Sequence, residues 1–139
     1  MFVVNQIEIL QCDHCQHQYA NFIPSEASLN HIYGDDYFFG GKDGYPDYLK
    51  NREMLVKRGS AYGKIVNKFT QTGRMLDIGS AAGFILQGFK EQGWQGVGVE
   101  PNQAMANYAF EQLGLSVVNT SFEDFEAEEP FDLVSMIQV

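Results

Sequence analysis

The sequence lacks any apolar run long enough to cross a lipid bilayer. Its first six residues also lack the basic start of a secretory signal peptide. These absences argue against a membrane-spanning or exported chain, and we expect a cytoplasmic protein. With 139 residues, 45% of them hydrophobic, the chain has the size and apolar content of a domain with a buried core.

Basic residues are scarce. Nine Lys and Arg residues stand against 18 Asp and Glu residues, so the formal net charge is −9, and the acidic excess is spread along the chain. Such a surface repels phosphate backbones. The charge therefore argues against a nucleic-acid partner and favours a small molecule or a protein.

Cysteine is scarcer still, because Cys12 and Cys15 are the only two and form a single C-x-x-C motif. Residues 7–12 and 19–22 are predicted to pair as a hairpin that carries the motif. A structural zinc ion needs four ligands, and the only other candidates are three histidines, His14, His17 and His31. Two interpretations stay open: a zinc site that includes Cys12 and Cys15, or two reduced thiols that bind nothing. A redox pair is disfavoured, since the motif does not begin a helix behind a βαβ strand.

The centre of the sequence is residues 74–86, where a short apolar run ends in Asp77 and an apolar, helix-forming segment begins at Phe84. Between them lies a turn that contains Gly79 and Gly83. Glycines let a ligand approach bare backbone, and the helix that follows directs unpaired N–H groups to the same place. This strand, turn and helix predict a site for a nucleotide-like ligand. The spacing of the two glycines does not match the G-x-G-x-x-G pattern of dinucleotide sites.

Glu100 ends the next apolar run, at Glu100-Pro101. In a βαβ unit an acid at the tip of the second strand lies beside the first turn, where its oxygens can accept hydrogen bonds from both hydroxyls of a ribose. The alternative is that Glu100 merely ends a strand at the surface.

Strand and helix patterns alternate through the second half of the chain. This order predicts an α/β fold with a Rossmann-like parallel sheet, preceded by a small N-terminal hairpin segment. A helical region is predicted over 47–69, where Gly59 and Gly63 favour a bend or two short helices. The predicted strands are 75–78, 96–100, 116–119 and 131–139, and the predicted helices are 84–92 and 102–113. The predicted divisions are an N-terminal hairpin and aromatic segment (1–40), a linker and covering helix (41–70) and the core (71–139).

The pattern Asp77-x-Gly79-x-Ala81-x-Gly83 resembles the first motif of the class I S-adenosylmethionine-dependent methyltransferases, with Ala81 where that family most often has its middle glycine. Residues 120–125 resemble the family's adenine-binding loop, and 131–134 resemble its second core motif. The resemblance implies that Phe122 contributes backbone and that Glu123 or Asp124 binds the adenine amine; a solvated acidic loop is the alternative for either acid. The implied cofactor-binding residues are Asp77, Gly79, Ser80, Ala81, Gly83, Glu100, Pro101, Phe122, Glu123 and Asp124. No residue is identified as catalytic.

The N-terminal segment resembles a zinc-binding hairpin module found before the core in a group that includes sugar C-methyltransferases. Cys12 and Cys15 match its second C-x-x-C knuckle, and residues 33–39 resemble the aromatic segment that follows; the first knuckle is absent. Zinc and a small-molecule acceptor, possibly a sugar, are what this resemblance implies. Tyr37, Phe38 and Arg52 are placed to reach the cofactor, and packing is the alternative for the two aromatic residues.

The class I strand order, 3-2-1-4-5-7-6, places the fourth strand inside the sheet. Because the sequence stops at Val139, we expect a fragment whose exposed fourth-strand edge favours self-association.

Two other functions stay open: a non-catalytic module that binds cofactor or a partner, and an NAD-dependent or nucleotide-sugar oxidoreductase, which Glu100 would serve equally well.

Overall fold

The computed structural model describes residues 2–23, 25, 34–40 and 47–137. The chain forms two compact units, Met1–Ile32 and Tyr33–Val139. His31, the predicted linker at 41–46 and the end of the predicted fourth strand at 138–139 lie outside the described residues. Among the described residues, no helix has both the length and the apolarity needed to cross a membrane.

The first unit is an antiparallel sheet of three strands in the order β1-β2-β3, with β1 at Phe2–Val4, β2 at Ile7–Gln11 and β3 at Gln18–Ala20. Strands β2 and β3 form the hairpin expected from the sequence. Strand β1 was not predicted. It pairs with β2 through a turn in which Asn5 and Gln6 both adopt positive φ, the geometry of a tight hairpin turn.

The second unit has a four-stranded parallel sheet in the order β6-β5-β4-β7. This α/β, Rossmann-like fold and its strand order are those expected from the sequence. Strand β7 is shorter than the predicted 131–139. The elements are α1 (Asp35–Phe38), a 3-10 turn (Tyr48–Asn51), α2 (Arg52–Val66), β4 (Arg74–Ile78), α3 (Phe84–Glu91), β5 (Gln95–Val99), α4 (Gln103–Leu113), β6 (Ser116–Val118) and β7 (Leu133–Met136).

Helix α2 is continuous through Gly59 and Gly63, so one of the two predicted alternatives, a division into two short helices, is wrong. The two glycines are buried against α3 instead. A Cβ at Gly59 would lie 2.2 Å from the carbonyl oxygen of Ile85, and a Cβ at Gly88 would lie 2.3 Å from that of Val56. The glycines therefore permit close packing of α2 on α3, and this packing offsets their low helix propensity.

The described part of the aromatic segment, residues 34–39, is part of the second unit and packs inside it. Phe38, which is 5% exposed, makes an edge contact with Tyr48, and Tyr48 stacks on Phe84 at the start of α3. Packing is thus the observed role of Phe38. Whereas the sequence predicted a boundary at residue 40, this segment belongs to the compact unit that holds the parallel sheet.

Candidate functional site

The loop between β4 and α3 is bound to the carboxyl end of β5. The N–H groups of Gly79 and Ser80 donate to the carbonyl oxygen of Val99 at 2.9 and 3.1 Å, and Gly79 has φ +65°. Because the carboxyl ends of parallel strands share one edge of the sheet, this loop lies where ligands of open α/β sheets bind.

Ala81 lies in the left-handed region at φ +46°, a conformation that a Cβ disfavours. Its N–H donates to Glu100 Oε2 at 2.7 Å. This charge-assisted hydrogen bond stabilises the loop conformation. It does so with alanine at the position where the class I methyltransferases, which the motif resembles, most often have glycine.

Glu100 is 5% exposed, so it does not merely end a strand at the surface. Its Oε1 accepts from the N–H of Asn102 at 2.7 Å. The Asn119 amide donates to the carbonyl oxygens of Glu100 and Pro101 at 2.8 and 2.9 Å and so holds this turn from the end of β6. Burial raises the pKa of Glu100, and the hydrogen bonds from Asn102 and Ala81 oppose that effect. The role of Asn119 was not anticipated from the sequence.

Asp77 is buried on β4 and accepts a hydrogen bond from Ser135 Oγ on β7 at 2.5 Å. Burial raises the pKa of Asp77 to about 6; the Ser135 hydrogen bond lowers it and the charge of Glu100 adds to the rise. Two buried acids thus lie at neighbouring strand tips, where solvent is largely excluded. Such perturbed groups are common at functional sites.

Ser80 is 5% exposed, and its Oγ is the one buried side-chain polar atom without a hydrogen-bond partner among the described residues. A Cβ at Gly98 would lie 2.5 Å from this Oγ, so glycine on β5 leaves room for the hydroxyl. An unsatisfied buried hydroxyl calls for an explanation, and a ligand is one. Gly98, like Asn119, was missed by the sequence analysis, because a glycine inside a strand carries no functional signal by itself.

Gly83 precedes α3 with φ +75°. A Cβ there would lie 2.6 Å from Leu115 Cδ1 and 3.2 Å from the Cβ of Ala109. Both conformation and packing therefore require glycine at this position.

The loop after β6 carries the other predicted cofactor residues. Phe122, Glu123 and Asp124 are exposed. Ser121 Oγ donates a hydrogen bond to the Asp124 carboxylate at 2.9 Å, and the Asp124 N–H donates in turn to Ser121 Oγ. These contacts are local, and the adenine-binding role of the loop stays a prediction.

A small cavity beside the glycine loop has a volume of about 30 Å³. Asp77, Gly79 and Ser80 line one side, and Tyr48 and Arg58 contribute from the 3-10 turn and α2. Arg58 was not identified from the sequence, where it is one cation of an ordinary amphipathic helix. Arg52, which was predicted to reach the cofactor, and Arg58 are both exposed on α2, but Arg52 does not line this cavity.

The two cysteines lie at the β2–β3 turn, where the Gln16 N–H donates to the Cys12 carbonyl oxygen at 2.9 Å. Cys12 is half-buried and Cys15 is exposed. Hydrogen bonds from the backbone of Cys15 and His14 lower the pKa of the Cys12 thiol. Across the described ranges, no three His, Cys, Asp or Glu side chains are gathered as metal ligands.

A family model described as a methyltransferase domain matches residues 48–139. Among solved structures, DesVI from Streptomyces venezuelae is 18% identical with a TM-score of 0.53, and the match covers 81% of this chain and 43% of DesVI. The sugar N-methyltransferase KedS8 from a Streptoalloteichus species is 22% identical with a TM-score of 0.53, covering 63% of this chain and 36% of KedS8. This chain thus matches less than half the length of either protein. No curated protein sequence matches it significantly.

Proposed function

The chain belongs to the methyltransferase-domain family, and on this premise we propose that it binds S-adenosylmethionine at the carboxyl edge of its parallel sheet. In the whole protein, the methyl group passes to a small-molecule acceptor, and a sugar is the acceptor we favour. The acidic surface, with a formal net charge of −9, supports a small molecule over a nucleic acid.

The observation that carries the proposal is the 2.7 Å hydrogen bond between the Ala81 N–H and Glu100 Oε2. It brings the acid of the second strand against the glycine loop of the first. A carboxylate has about four lone-pair positions, and the N–H groups of Ala81 and Asn102 use two of them. The other two can accept from the hydroxyls of a ribose.

The remaining residues fit a nucleoside with an amino-acid tail. Gly79 offers backbone without a side chain, and the buried Ser80 Oγ has no partner within the part of the chain that the structure describes. We assign the cofactor to Asp77, Gly79, Ser80, Ala81, Gly83, Glu100 and Pro101, with Phe122 and either Glu123 or Asp124 at the adenine. When bound, S-adenosylmethionine supplies an electrophilic methyl group, and the protein contributes mainly position and exclusion of water.

Calorimetry with S-adenosylmethionine, S-adenosylhomocysteine and NAD tests this function. We expect S-adenosylmethionine and S-adenosylhomocysteine to bind and NAD not to bind. Binding of NAD alone would instead support an oxidoreductase, the alternative that Glu100 also suits. Binding of all three or of none would contradict the proposal.

A non-catalytic cofactor-binding module would also bind S-adenosylmethionine and S-adenosylhomocysteine. Release of S-adenosylhomocysteine from S-adenosylmethionine in the presence of a panel of sugars separates the two functions. We expect acceptor-dependent release from the whole protein; tight binding by the whole protein with no release above background would favour the non-catalytic module.

For the first unit, we propose that Cys12 and Cys15 bind zinc. The hairpin turn presents both thiols, and the lowered pKa of Cys12 favours the thiolate that binds metal. A zinc ion held by these two thiols needs two further ligands, and no such set is gathered among the described residues. Elemental analysis of the purified protein tests the proposal: we expect stoichiometric zinc, and a trace amount would contradict it.

Self-association through β7 is the third proposal, because Val134 and Met136 are 55% and 60% exposed. Sedimentation of the wild-type chain and of Val134→Lys tests it. We expect the wild type alone to form dimers, and identical monomeric profiles would contradict the proposal.

A further inference from the structure

The turn that follows β5 is held to the end of β6 by one side chain. The Glu100 N–H donates to the Val118 carbonyl oxygen at 3.1 Å, as the next bond of the parallel β5–β6 ladder would. In a continued ladder the Glu100 carbonyl oxygen would accept from the N–H of Thr120, but that N–H donates to Val118 instead, at 3.1 Å. The Asn119 amide takes over this bond and donates to the Glu100 carbonyl oxygen at 2.8 Å. The side chain therefore extends the sheet by one hydrogen bond beyond its last ladder pair.

A second hydrogen bond from the same amide fixes a peptide plane beside the carboxylate of Glu100. Asn119 Nδ2 also donates to the Pro101 carbonyl oxygen, at 2.9 Å. That carbonyl shares one peptide unit with the N–H of Asn102, and a peptide unit is planar, so the two groups turn together. The Asn102 N–H donates to Glu100 Oε1 at 2.7 Å. Asn119 thus sets the direction of a donor that orients the carboxylate.

The orientation of this carboxylate decides what it can bind. Its Oε2 accepts from the Ala81 N–H of the glycine loop at 2.7 Å, so both oxygens are held by backbone donors. The lone pairs that are left over point in fixed directions, and a ribose presents its two hydroxyls on neighbouring carbons. A carboxylate that can rotate loses this match, because a hydrogen bond weakens steeply as its angle departs from linear.

We propose that Asn119 is a positioning residue for ribose recognition, which acts by holding Glu100 in the orientation that accepts both hydroxyls. The inference rests on the proposed function. Its consequence is selectivity for a ribonucleoside over the same nucleoside without the hydroxyls. An asparagine with a purely structural role would affect stability and leave that selectivity unchanged.

Two ligands that differ only in the hydroxyls measure this selectivity. S-adenosylhomocysteine and its 2′,3′-dideoxy analogue are titrated by calorimetry into the wild-type chain, Asn119→Ala and Asn67→Ala. Asn67 is the matched control, because it too is an exposed asparagine whose amide donates to a backbone carbonyl oxygen, that of Gln92, at 3.1 Å. It also accepts from Trp94 Nε1 at 2.8 Å, just before β5, whereas Glu100 follows that strand. Circular dichroism verifies that each variant is folded.

We expect the wild type to prefer S-adenosylhomocysteine about a hundredfold, since each hydroxyl gives one hydrogen bond to a charged acceptor. In Asn119→Ala the preference falls to about tenfold or less, a loss of roughly one such hydrogen bond. Asn119→Asp, which keeps the shape but lacks the N–H donors, gives the same fall, while Asn67→Ala keeps the wild-type preference. An unchanged preference in Asn119→Ala, or an equal fall in Asn67→Ala, overturns the positioning role. A wild type without any preference also overturns it, because Glu100 would then not bind the ribose.

The Glu100→Gln background tests whether Asn119 acts through Glu100. There the carboxylate is already lost, so adding Asn119→Ala should leave the preference unchanged. A further fall would overturn the indirect role, because Asn119 would then contact the ligand itself.

Failure of the proposed function is observed separately. If neither ligand binds the wild type, that function fails, and hydrogen exchange of the Asn102 N–H in the ligand-free protein still tests the inference. Asn119→Ala should exchange this proton about tenfold faster than wild type, whereas Asn67→Ala should not. Unchanged exchange in Asn119→Ala would show that Asn119 does not hold the peptide unit, and would overturn the inference.

Discussion

Ser135 donates a hydrogen bond of 2.5 Å to the buried carboxylate of Asp77, and it does so from the neighbouring strand. The two residues are register partners in the parallel pair β4–β7. The fourth strand of the core therefore takes part in the site through a polar contact as well as through packing. Since the hydrogen bond opposes the effect of burial, it keeps Asp77 more acidic than burial alone would.

Stability is expected to fall as pH rises from about 4 to about 6. The pKa of Asp77 is raised from 3.8 to about 6 in the folded protein, so the folded state binds the proton more tightly than the unfolded state does. Stability gained at low pH is lost as the folded carboxyl ionises. A shift of roughly two pKa units corresponds to about 3 kcal/mol in the free energy of unfolding. Urea unfolding of wild type and Asp77→Asn, followed by Trp94 fluorescence, measures this difference.

The comparison with Asp77→Asn isolates one group, because Glu100 and other acids titrate in both proteins. We expect the variant to gain stability relative to wild type across this pH range and to keep the gain above it. Ser135→Ala removes the hydrogen bond that lowers the pKa of Asp77, so this pKa rises further. The loss of stability with rising pH then extends to higher pH than in wild type. If the free energy of unfolding depended on pH in the same way in wild type and in Asp77→Asn, the raised pKa of Asp77 would be contradicted.

Glu100→Gln is expected to weaken both the fold and cofactor binding. The N–H groups of Ala81 and Asn102 each need an acceptor, and an amide offers one oxygen and one donor group. One buried N–H then faces an NH₂ group, which costs about 1–3 kcal/mol. We expect affinity for S-adenosylhomocysteine to fall at least tenfold. Glu111→Gln, which changes an exposed acid on α4, is the control for charge. Unchanged affinity in Glu100→Gln would remove Glu100 from the site.

The order of strands and helices could be predicted because each element carries a local signal. The runs that end in Asp77 and Glu100 are apolar and short, Asn102 begins α4 by capping Met105, and Gly114 ends it in the left-handed conformation. Strand order in the sheet is not local information, and it came from resemblance to a family. Strand β1 has only three residues and no motif, which is why it was missed.

The acid and the loop of the candidate site could be predicted from spacing, but their partners could not. Asn119, at the end of β6, and Ser135, on β7, act through side-chain hydrogen bonds to residues far away in the sequence, and nothing in their local sequence indicates such contacts. For Gly59 and Gly63, the local sequence indicated an effect that the tertiary contacts reverse. Taken alone, they weaken a helix; in the fold, Gly59 lies against the backbone of Ile85 on α3, and Gly63 lies against the side chains of Phe89 and Gln92.

Gly88→Ala on α3 tests whether helix propensity or close helix packing decides the effect of a glycine in these helices. Propensity alone predicts that alanine stabilises a helix by about 1 kcal/mol relative to glycine. Here the added Cβ would lie 2.3 Å from the Val56 carbonyl oxygen and 2.4 Å from the Ser60 nitrogen, both backbone atoms. Relief requires α2 to move, so we expect a loss of about 2–3 kcal/mol in the free energy of unfolding. Ala61→Gly on the exposed side of α2 should lose about 1 kcal/mol from propensity. Stabilisation by Gly88→Ala would mean that the helices do not pack this closely.

Gly83→Ala and Gly114→Ala separate backbone conformation from crowding. Both glycines have positive φ, +75° and +61°, so each alanine adds a conformational cost of about 1–2 kcal/mol. At Gly114 nothing lies within 4 Å of the added Cβ, whereas at Gly83 it meets Leu115 Cδ1 at 2.6 Å and the Cβ of Ala109 at 3.2 Å. Crowding in a packed core adds about 1–3 kcal/mol at Gly83 alone. Equilibrium unfolding of the two variants should therefore rank Gly83→Ala as the less stable. Equal losses would show that Leu115 moves aside at no cost, and conformation alone would then explain the glycine that closes the loop.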